Sequence, residues 1–482
     1  MQYQSTRNPD LSITSSEAIV RGLGPDGGLF VPEAFPCADL EAWKDLSYPA
    51  LAEKVLEGFL TDYDPAFLRD AAAATYGAAF GGKAGNLVRV HEGLYSLELW
   101  HGPTCAFKDY ALQLMPKLLV QAKKNLGRTE TTRILVATSG DTGKAALAGY
   151  AGLEGIEIEV FYPNAGTSEI QRLQMATQQG DNVAVYAVEG NFDDAQTGVK
   201  RVFGDAEVAK ELETRKIRLS SANSINWGRL VPQIVYYFYA YFRLVEQGGI
   251  RWGEAVDFCV PTGNFGDILA GYYAKRMGLP VGKLICASNK NNVLTDFIRT
   301  GTYDARRTFF KTASPSMDIL ISSNLERLLY HLSGSAEKVR GWMRDLAEKG
   351  VYTVDAETLA AVQENFACAC ADDAQGAAEI HARFAEDGYL CDTHTAIAFC
   401  AAETCKREAP VVVLSTASPF KFPRDVLAAL GEEAPDGDFA AMAALTARTG
   451  CSAPESLKVL DQLPVRFDTV IAPAEIRAAA LK

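Results

Sequence analysis

Short runs rich in apolar residues recur along the chain, and each is followed by a loop and then by a stretch with helical periodicity. Six such runs cover residues 134–137, 156–162, 183–188, 256–260, 284–287 and 411–414. A strand that is buried on both faces has a continuous apolar sequence, and alternation of such strands with helices is typical of parallel sheets covered by helices. We therefore predict an α/β fold with parallel-type sheets.

The same pattern changes at two places and so predicts the domain organisation. The first ninety or so residues mix short strands with helices, and the turn-rich residues 80–86 mark a boundary. Between about residues 305 and 390 strands become rare and charged amphipathic helices dominate, for example over residues 336–349. We expect an N-terminal α/β domain (1–90) and a core (91–482), with a small lobe at about 135–205 and a helical insertion at about 305–390.

Charge and hydropathy exclude several classes of function. The 482 residues include 47 Lys and Arg against 60 Asp and Glu, a formal net charge of −13. Such a balance opposes binding to nucleic acid and to anionic membranes. No segment approaches the roughly 20 apolar residues of a membrane span, and the polar N-terminus lacks a signal-peptide core. We expect a cytoplasmic protein. The net charge is also unfavourable for small anionic substrates.

The cysteines and histidines do not have the spacing of a metal site or of a disulfide framework. Ten cysteines are scattered through a large chain, which favours reduced thiols. Cys368 and Cys370 form one close pair, in an alanine-rich stretch that we predict to be helical, where they would face different directions. The five histidines lack zinc-ligand spacing. We therefore predict no metal.

Two loops that follow predicted strands contain candidate binding residues. Residues 261–267 read Pro-Thr-Gly-Asn-Phe-Gly-Asp and precede a helix, so their N–H groups could cradle a phosphate; an ordinary βα turn fits equally well. They lack the third glycine of a dinucleotide fingerprint. Residues 138–144, Thr-Ser-Gly-Asp-Thr-Gly-Lys, fail as a nucleotide P-loop because Thr138 and Ala145 replace the required residues. The second loop remains suited to a carboxylate or a phosphate.

A third loop and one lysine complete the candidate chemistry. Residues 415–421 place several hydroxyl groups after the last strong strand, although alone they would be a polar loop. Lys108 follows the apolar Cys-Ala-Phe at 105–107 and precedes a helical stripe. A helix start and burial both favour a neutral amine, which Schiff-base chemistry requires. The alternative interpretation is an ordinary solvent-exposed lysine at a helix start, and the apolar residues 105–107 before Lys108 argue against it.

With these elements in place, the sequence resembles the threonine synthase family, pyridoxal-phosphate (PLP) enzymes of the tryptophan-synthase-β fold type (fold type II). The resemblance covers almost the whole chain and is closest to the branch of many bacteria and fungi. Each of the sequence motifs that match the family is short, but their order and spacing along the chain are together highly specific. They are Ser-Thr-Arg at 5–7, Asp-Gly-Gly-Leu-Phe-Val-Pro at 26–32, Gly-Pro-Thr at 102–104, Phe-Lys-Asp at 107–109, and the three loops, with Ser-Ile-Asn-Trp-Gly-Arg at 224–229.

The resemblance implies a role for each candidate residue and a two-lobed core. Lys108 would hold PLP covalently, and Thr416 would contact its pyridine nitrogen. The phosphate loop would consist of Gly263, Asn264, Phe265, Gly266 and Asp267. We expect the Asp267 side chain to cap the following helix while its amide faces the phosphate. Ser139, Gly140, Asp141 and Thr142 would bind the substrate α-carboxylate.

The implied reaction converts O-phospho-L-homoserine and water into L-threonine and phosphate, by elimination of phosphate from Cγ and addition of water at Cβ. Arg229, Lys144 and Arg172 are candidates to clamp the leaving phosphate, supported by Asn226 and Ser168. A threonine or serine dehydratase-like lyase and an inactive PLP-binding relative are the alternatives. We expect a monomer or small homo-oligomer that binds a small molecule and neither nucleic acid nor membrane.

Overall fold

Two parallel sheets carry the core of the protein, as a computed structural model that describes residues 1–164, 167–405 and 409–482 shows. The strands of the two sheets are β4 (Asn86–His91), β5 (Leu94–Glu98), β6 (Thr131–Ala137), β7 (Ile156–Pro163), β8 (Val183–Val188), β9 (Ile217–Ser220), β10 (Val256–Pro261), β11 (Val281–Ser288), β14 (Phe366–Cys370), β15 (Val411–Ser415) and β16 (Val470–Ile471). Their strand orders are β14-β11-β10-β15-β5-β4 and β16-β8-β7-β6-β9. All neighbouring strands in them are parallel except the hairpin of β4 and β5.

Five shorter strands form two small antiparallel sheets. Their bounds are β1 (Tyr3–Ser5), β2 (Asn8–Ile13) and β3 (Phe30–Pro32) in the first, and β12 (Thr302–Asp304) and β13 (Val351–Thr353) in the second. The predicted α/β class with helix-covered parallel sheets is confirmed, and all six predicted strands are present with ends extended by at most three residues.

Helices cover both faces of the two large sheets. Their bounds are α1 (Ser15–Arg21), α2 (Leu40–Trp43), α3 (Tyr48–Phe59), α4 (Pro65–Tyr76), α5 (Asp109–Leu112), α6 (Met115–Asn125), α7 (Asp141–Tyr150), α8 (Glu169–Ala176), α9 (Phe192–Gly204), α10 (Ala206–Thr214), α11 (Trp227–Leu230), α12 (Ile234–Glu246), α13 (Gly266–Arg276), α14 (Val293–Thr300), α15 (Leu325–Ser333), α16 (Ala336–Lys349), α17 (Ala356–Asn365), α18 (Asp373–Asp387), α19 (Thr393–Thr404), α20 (Pro423–Ala429), α21 (Asp438–Thr449), α22 (Glu455–Lys458) and α23 (Ile476–Ala479). None of these helices is long and apolar enough to cross a membrane.

The N-terminal segment is joined to the core through buried polar contacts. Thr6 Oγ1 donates to Glu326 Oε1 at 2.5 Å, and Arg7 donates to both oxygens of the same carboxylate at 2.9 and 2.8 Å. Ser5 Oγ donates to the Asp26 carboxylate at 2.9 Å. Thr6 and Arg7 thus fasten this segment to α15, while Asp26 holds Ser5 within the segment.

The helix that follows Lys108 is interrupted, which the periodic pattern did not show. Residues 109–112 form α5, and α6 begins at Met115 with Pro116 in its first turn. Proline has no N–H group, so Pro116 cannot donate to the carbonyl of Leu112 four residues earlier. The carbonyl of Leu112 lies against Gly149 of α7, where a Cβ atom would be too close to it.

The prediction for the close cysteine pair is wrong. Cys368 and Cys370 lie on strand β14, not on a helix, so both side chains point to the same face of the sheet. The strand forms because Phe366 to Cys370 pair in register with Leu284 to Ser288 of β11, and this tertiary pairing overrides the helical preference of the alanines. Within the described ranges, no three His, Cys, Asp or Glu side chains are grouped so as to hold a metal ion.

Candidate active site

Lys108 is held at the carboxyl end of the six-stranded sheet by the segment before it. Ala106 forms an antiparallel bridge with Ala417, and the Phe107 N–H donates to the Thr416 carbonyl at 2.8 Å. Thr416 directly follows β15, so this pairing places Lys108 beside Thr416. The loops after β10 and β15 meet at the same edge, as expected for ligand sites of α/β folds.

The Lys108 side chain is largely buried and has weak polar contacts. Its Nζ lies 3.4 Å from Ser316 Oγ, 3.9 Å from an Asp141 carboxylate oxygen and 4.7 Å from the centroid of the Phe107 ring. Burial lowers the pKa of the amine to about 8; Asp141 opposes this shift, and Lys421 adds to it. The predicted tendency towards a neutral amine follows chiefly from burial, since α5 is only four residues long.

Asp109 fixes the turn that precedes Lys108. Its carboxylate accepts from the backbone N–H and the hydroxyl of Thr104, each at 2.8 Å, and from Gln113 at 3.0 Å. A Cβ atom at Gly102 would lie 2.5 Å from this carboxylate, so the turn closes only over glycine. Burial raises the pKa of Asp109 to about 6, and the bonds from Thr104 limit the rise.

The loop of residues 263–267 is a rigid helix start with unused N–H groups. Phe265 has φ 63° in the left-handed region, and α13 begins at Gly266 without a side-chain cap. Ser322 Oγ donates to the Gly263 carbonyl at 2.8 Å, and Asn324 Nδ2 donates to the Asn264 carbonyl at 3.0 Å. Because the carbonyls are bound from behind and the first N–H groups of a helix have no partner within it, this loop can accept an anion.

The prediction that Asp267 caps the helix is wrong. Asp267 already lies in the first turn of α13, and its Oδ1 accepts from the Tyr236 hydroxyl at 2.6 Å and from the Tyr237 hydroxyl at 3.0 Å. Burial raises the pKa of the carboxyl to about 6, although the two tyrosine bonds lower it. A carboxyl that is easily neutralised opposes a nearby phosphate less than an ionised one does.

The loop of residues 138–144 forms the start of α7 near Lys108. Thr138 Oγ1 accepts from the N–H groups of Gly140 at 3.0 Å and Gly143 at 2.9 Å. Gly140 has φ 148°, and a Cβ there would lie 2.5 Å from the Gln171 amide carbon, so this turn requires glycine. The N–H groups of Ser139, Asp141 and Thr142 are left for a small carboxylate.

A turn within the predicted helical insertion reaches the site, and sequence reasoning missed it. Ser316 lies in a short 3₁₀ turn, its Oγ accepts from Lys108 Nζ at 3.4 Å, and its carbonyl oxygen would lie 2.7 Å from a Cβ at Gly263. The Ser316 N–H donates to His394 Nε2 at 3.1 Å, and His394 Nδ1 contacts the Asp392 carboxylate at 2.6 Å. One turn therefore links Lys108 to the 263–267 loop.

Lys421 is a second residue that the sequence analysis left without a role. Its amine is fully buried, pairs with Asp141 Oδ1 at 2.5 Å and donates to the Thr104 carbonyl at 3.2 Å. The signal was present in the sequence, because Lys421 stands between two phenylalanines and two prolines in Pro-Phe-Lys-Phe-Pro, an unusual setting for a solvated lysine.

The predicted cations differ in how they are held. Arg229 is buried and donates from Nη1 to the Ala222 carbonyl at 2.6 Å, while its Nε has no hydrogen-bond partner among the described residues. Burial lowers the pKa of Arg229 to about 10, and that of Lys144, whose Nζ donates to Gln178 at 2.7 Å, to about 8. Asn226 caps α11 through the Gly228 N–H and donates to the Ile19 carbonyl, so its amide is engaged in the fold.

Taken together, this geometry suits a ligand that carries both a phosphate and a carbonyl group. A buried amine of lowered pKa can attack a carbonyl carbon, and an uncapped helix start linked to it by Ser316 can bind the phosphate. A second helix start, at Ser139 to Thr142, can bind a carboxylate beside the amine. The free guanidinium nitrogen of Arg229 can serve another anion.

Comparisons with known proteins agree along the whole chain. Residues 2–76 match the model "Threonine synthase N terminus", 88–365 match "Pyridoxal-phosphate dependent enzyme", and 395–479 match "Threonine synthase, C-terminal". The chain is 41% identical to threonine synthase of Pseudomonas aeruginosa, over 88% of this chain and 90% of that protein.

It is also 40% identical to human threonine synthase-like 1, over 86% of this chain, but it spans only 58% of the length of that larger protein. The solved structure of PLP-bound threonine synthase from Brucella melitensis superposes with a TM-score of 0.90 at 38% identity, over 100% of this chain and 99% of that one.

Proposed function

The chain belongs to the threonine synthase family of pyridoxal-phosphate-dependent enzymes, and we propose that it converts O-phospho-L-homoserine and water into L-threonine and phosphate. The observation that carries the proposal is the placement of a buried lysine of lowered pKa, Lys108, against Ser316, which also contacts the uncapped phosphate-type loop at 263–267. Relatives named threonine synthase match nearly the full length of both chains.

The residues fit PLP, and we assign each a part in holding it. Lys108 would bind the aldehyde carbon through its amine, and the N–H groups of Gly263, Asn264, Phe265, Gly266 and Asp267 would hold the phosphate. Thr416, fixed next to Lys108 by the Phe107 N–H, would face the pyridine nitrogen with a neutral hydroxyl. Such a partner does not force the ring nitrogen to stay protonated, which favours elimination and replacement over transamination.

The cofactor, when bound, supplies the electron sink that makes a Cα proton acidic. This chain supplies the proton transfers. Displaced by the substrate amine, Lys108 becomes a free base at the same place, and a pKa near 8 keeps a useful fraction of it neutral at neutral pH. Its Nζ can remove the Cα proton and one Cβ proton, after which phosphate leaves Cγ. Once the hydroxyl group of water has added at Cβ, the mobile lysine amine can return protons to Cγ and Cα on one face.

Substrate orientation comes from two further groups. The N–H groups of Ser139, Asp141 and Thr142 lie at the start of α7 near Lys108, and we assign them the α-carboxylate. Gly140 belongs to the proposed site because it shapes this turn, while its own N–H donates inward to Thr138. For the leaving phosphate we propose Arg229, which is buried, and Lys144, which is half-buried, because neither has a carboxylate partner among the described residues. Asn226 supports Arg229 by capping its helix.

The finer organisation is also part of the proposal. We propose the boundaries 1–90 and 91–482, with a small lobe at about 135–205 and a helical insertion at about 305–390. Cytoplasmic location is supported by ten cysteines without a disulfide. We propose a monomer or small homo-oligomer that binds neither nucleic acid nor membrane.

A phosphate-release assay with purified protein tests the activity. O-phospho-L-homoserine is expected to yield equal amounts of phosphate and L-threonine, while L-threonine and L-serine yield no keto acid. Keto acid from threonine or serine without phosphate release from O-phosphohomoserine would indicate a dehydratase. PLP binding with no turnover of any of the three would indicate the inactive relative.

A further inference from the structure

The side chain of Asp141 lies between two buried amines. Its Oδ1 pairs with Lys421 Nζ at 2.5 Å and accepts from Gln171 Nε2 at 2.8 Å, and its Oδ2 lies 3.9 Å from Lys108 Nζ. All three ionisable side chains are almost inaccessible to solvent, with exposed fractions of 3%, 0% and 11% for Asp141, Lys421 and Lys108. At these distances and this burial, their charges act on each other without much screening.

The arrangement is asymmetric. Lys421 and Gln171 engage one oxygen of Asp141 directly, so the carboxylate is fixed in place and is partly neutralised before Lys108 contributes. Burial alone would raise the pKa of Asp141, but Lys421 and Lys108 hold it well below its usual range. The carboxylate is therefore ionised whenever Lys108 is displaced, and its second oxygen remains directed to the Lys108 amine.

Other charged groups also face Lys108 and contribute to the electrostatic potential at its amine. The charged side chains that act on its amine are Asp141 from α7, Lys421 from the turn after β15, Arg229 from α11 and Asp267 from α13. Asp109 and Lys144 act on the same cluster from α5 and α7. Arg229 and Asp267 each bond elsewhere, to a backbone carbonyl and to two tyrosines. Asp141 is the carboxylate at contact range.

We propose that Asp141 and Lys421 form a positioning pair: Asp141 receives the Lys108 amine each time substrate displaces it, and Lys421 limits how tightly the amine is retained. The inference rests on the proposed function, because displacement occurs only if Lys108 carries the cofactor. A single carboxylate would bind the ammonium form and remove the base from the reaction. Sharing that carboxylate with a second amine, that of Lys421, leaves the Lys108 amine nearby and free to lose its proton.

The pair also resolves a difficulty of the substrate site. Asp141 lies in the first turn of α7, the helix whose start we assign to the substrate carboxylate. An isolated negative charge there would repel the substrate carboxylate. Lys421 compensates this charge from the buried side. The helix start can therefore present N–H groups to an anion although its first residue is acidic.

The test compares Lys421→Met with the double variant Asp141→Asn/Lys421→Met, because Asp141→Asn alone would leave the buried charge of Lys421 without the carboxylate that balances it. Lys123→Met is the matched control, since Lys123 is a buried lysine that bonds to the carbonyls of Glu130 and Gly155 elsewhere in the fold. The pKa of Lys108 is measured on the full cofactor-free chain, by competitive acetylation with trace acetic anhydride across pH and mass spectrometry of its peptide.

We expect Lys421→Met to raise the pKa of Lys108 by about one unit, which is roughly tenfold less neutral amine at pH 7. The double variant is expected to return it to the wild-type value or below, and Lys123→Met to leave it unchanged. The acid limb of the kcat profile of the loaded enzyme is expected to move in the same directions.

Equal pKa values in the single and double variants would overturn the proposal, as would loss of the fold in both. Loss of the fold in Lys421→Met alone would support it, because only the unpaired Asp141 charge separates the two variants. The labelling does not depend on turnover. A wild-type enzyme that forms no threonine would refute the proposed function. The labelling would still show whether Asp141 and Lys421 set the pKa of Lys108.

Discussion

Gly149 offers the sharpest test of how the site is built, because a single methyl group there must separate two helices. A Cβ at this position of α7 would lie 3.0 Å from the Leu112 carbonyl carbon and closer still to its oxygen. Carbon atoms in ordinary contact stand about 3.5–4.0 Å apart, so α5 and α7 would have to move apart by on the order of 1 Å. Lys108 immediately precedes α5, and Asp141 begins α7.

Gly149→Ala therefore perturbs stability and chemistry together. Overpacking of a core typically costs about 1–3 kcal/mol, and the better helix propensity of alanine returns about 0.5–1 kcal/mol. A displacement of about 1 Å between catalytic groups can lower activity by roughly 100-fold. We expect a lower midpoint of thermal unfolding and a fall of kcat/KM of one to two orders of magnitude.

Gly341→Ala is the matched control. Gly341 lies within helix α16, and nothing would lie within 4 Å of its Cβ. This variant is expected to be as active as the wild type and slightly more stable, because alanine favours a helix. If Gly149→Ala has the same midpoint and activity as Gly341→Ala, then the contact between α5 and α7 does not set the position of Lys108.

Three further predictions concern single side chains. Burial raises the pKa of Asp267 to about 6, so the folded state holds the proton of this carboxyl more tightly than the unfolded state does. Relative to Asp267→Asn, the free energy of unfolding of the wild type should therefore fall by up to about 3 kcal/mol between pH 4 and 7. Urea titrations of both proteins at each pH measure this difference. A difference that does not change with pH would refute this placement. Arg229→Lys should raise KM for O-phosphohomoserine at least tenfold with PLP affinity, from fluorescence titration, within twofold of wild type; equal losses would make Arg229 structural. Ser316→Ala should lower kcat about tenfold, because the Ser316 hydroxyl contacts Lys108. The midpoint of thermal unfolding should change by less than 2 °C, because the hydrogen bond from the Ser316 backbone N–H to His394 is kept. An unchanged kcat would contradict a role for the contact between Ser316 and Lys108.

Much of the sheet framework could be predicted from the sequence because six of its strands are largely buried on both faces and are therefore rich in apolar residues. One strand that was not predicted is instructive. Cys368 and Cys370 lie in an alanine-rich segment whose local preference is helical, and only pairing with β11 makes it a strand. Propensity is local, whereas this strand is determined by a partner 82 residues away in the sequence, at Cys286 for Cys368.

The candidate site shows the same division. Lys108 and the loop at 263–267 follow from residue type and from position at helix starts, so the sequence located them. The Ser316 turn and Lys421 come from distant segments and reach Lys108 only through the tertiary fold. The side chain of Asp267 was misassigned because its two partners, Tyr236 and Tyr237, lie on another helix, and nothing in the loop itself indicates them.

The negative charge of the chain is compatible with an anionic ligand because the site is governed by local groups. Lys108, Lys144, Arg229 and Lys421 converge there with two helix starts, while Asp141 is compensated by Lys421. A net charge of −13 over 482 residues describes the outer surface and says little about a buried cleft.

The central claim is that Lys108 carries the cofactor, and one measurement tests it directly. Purified protein loaded with PLP is reduced with borohydride, digested and analysed by tandem mass spectrometry. We expect a single pyridoxyl-phosphate addition, on the lysine of the peptide containing Phe107 and Asp109, and its loss in Lys108→Ala. Addition to Lys144 or Lys421, or no stable addition to any lysine, would contradict the account.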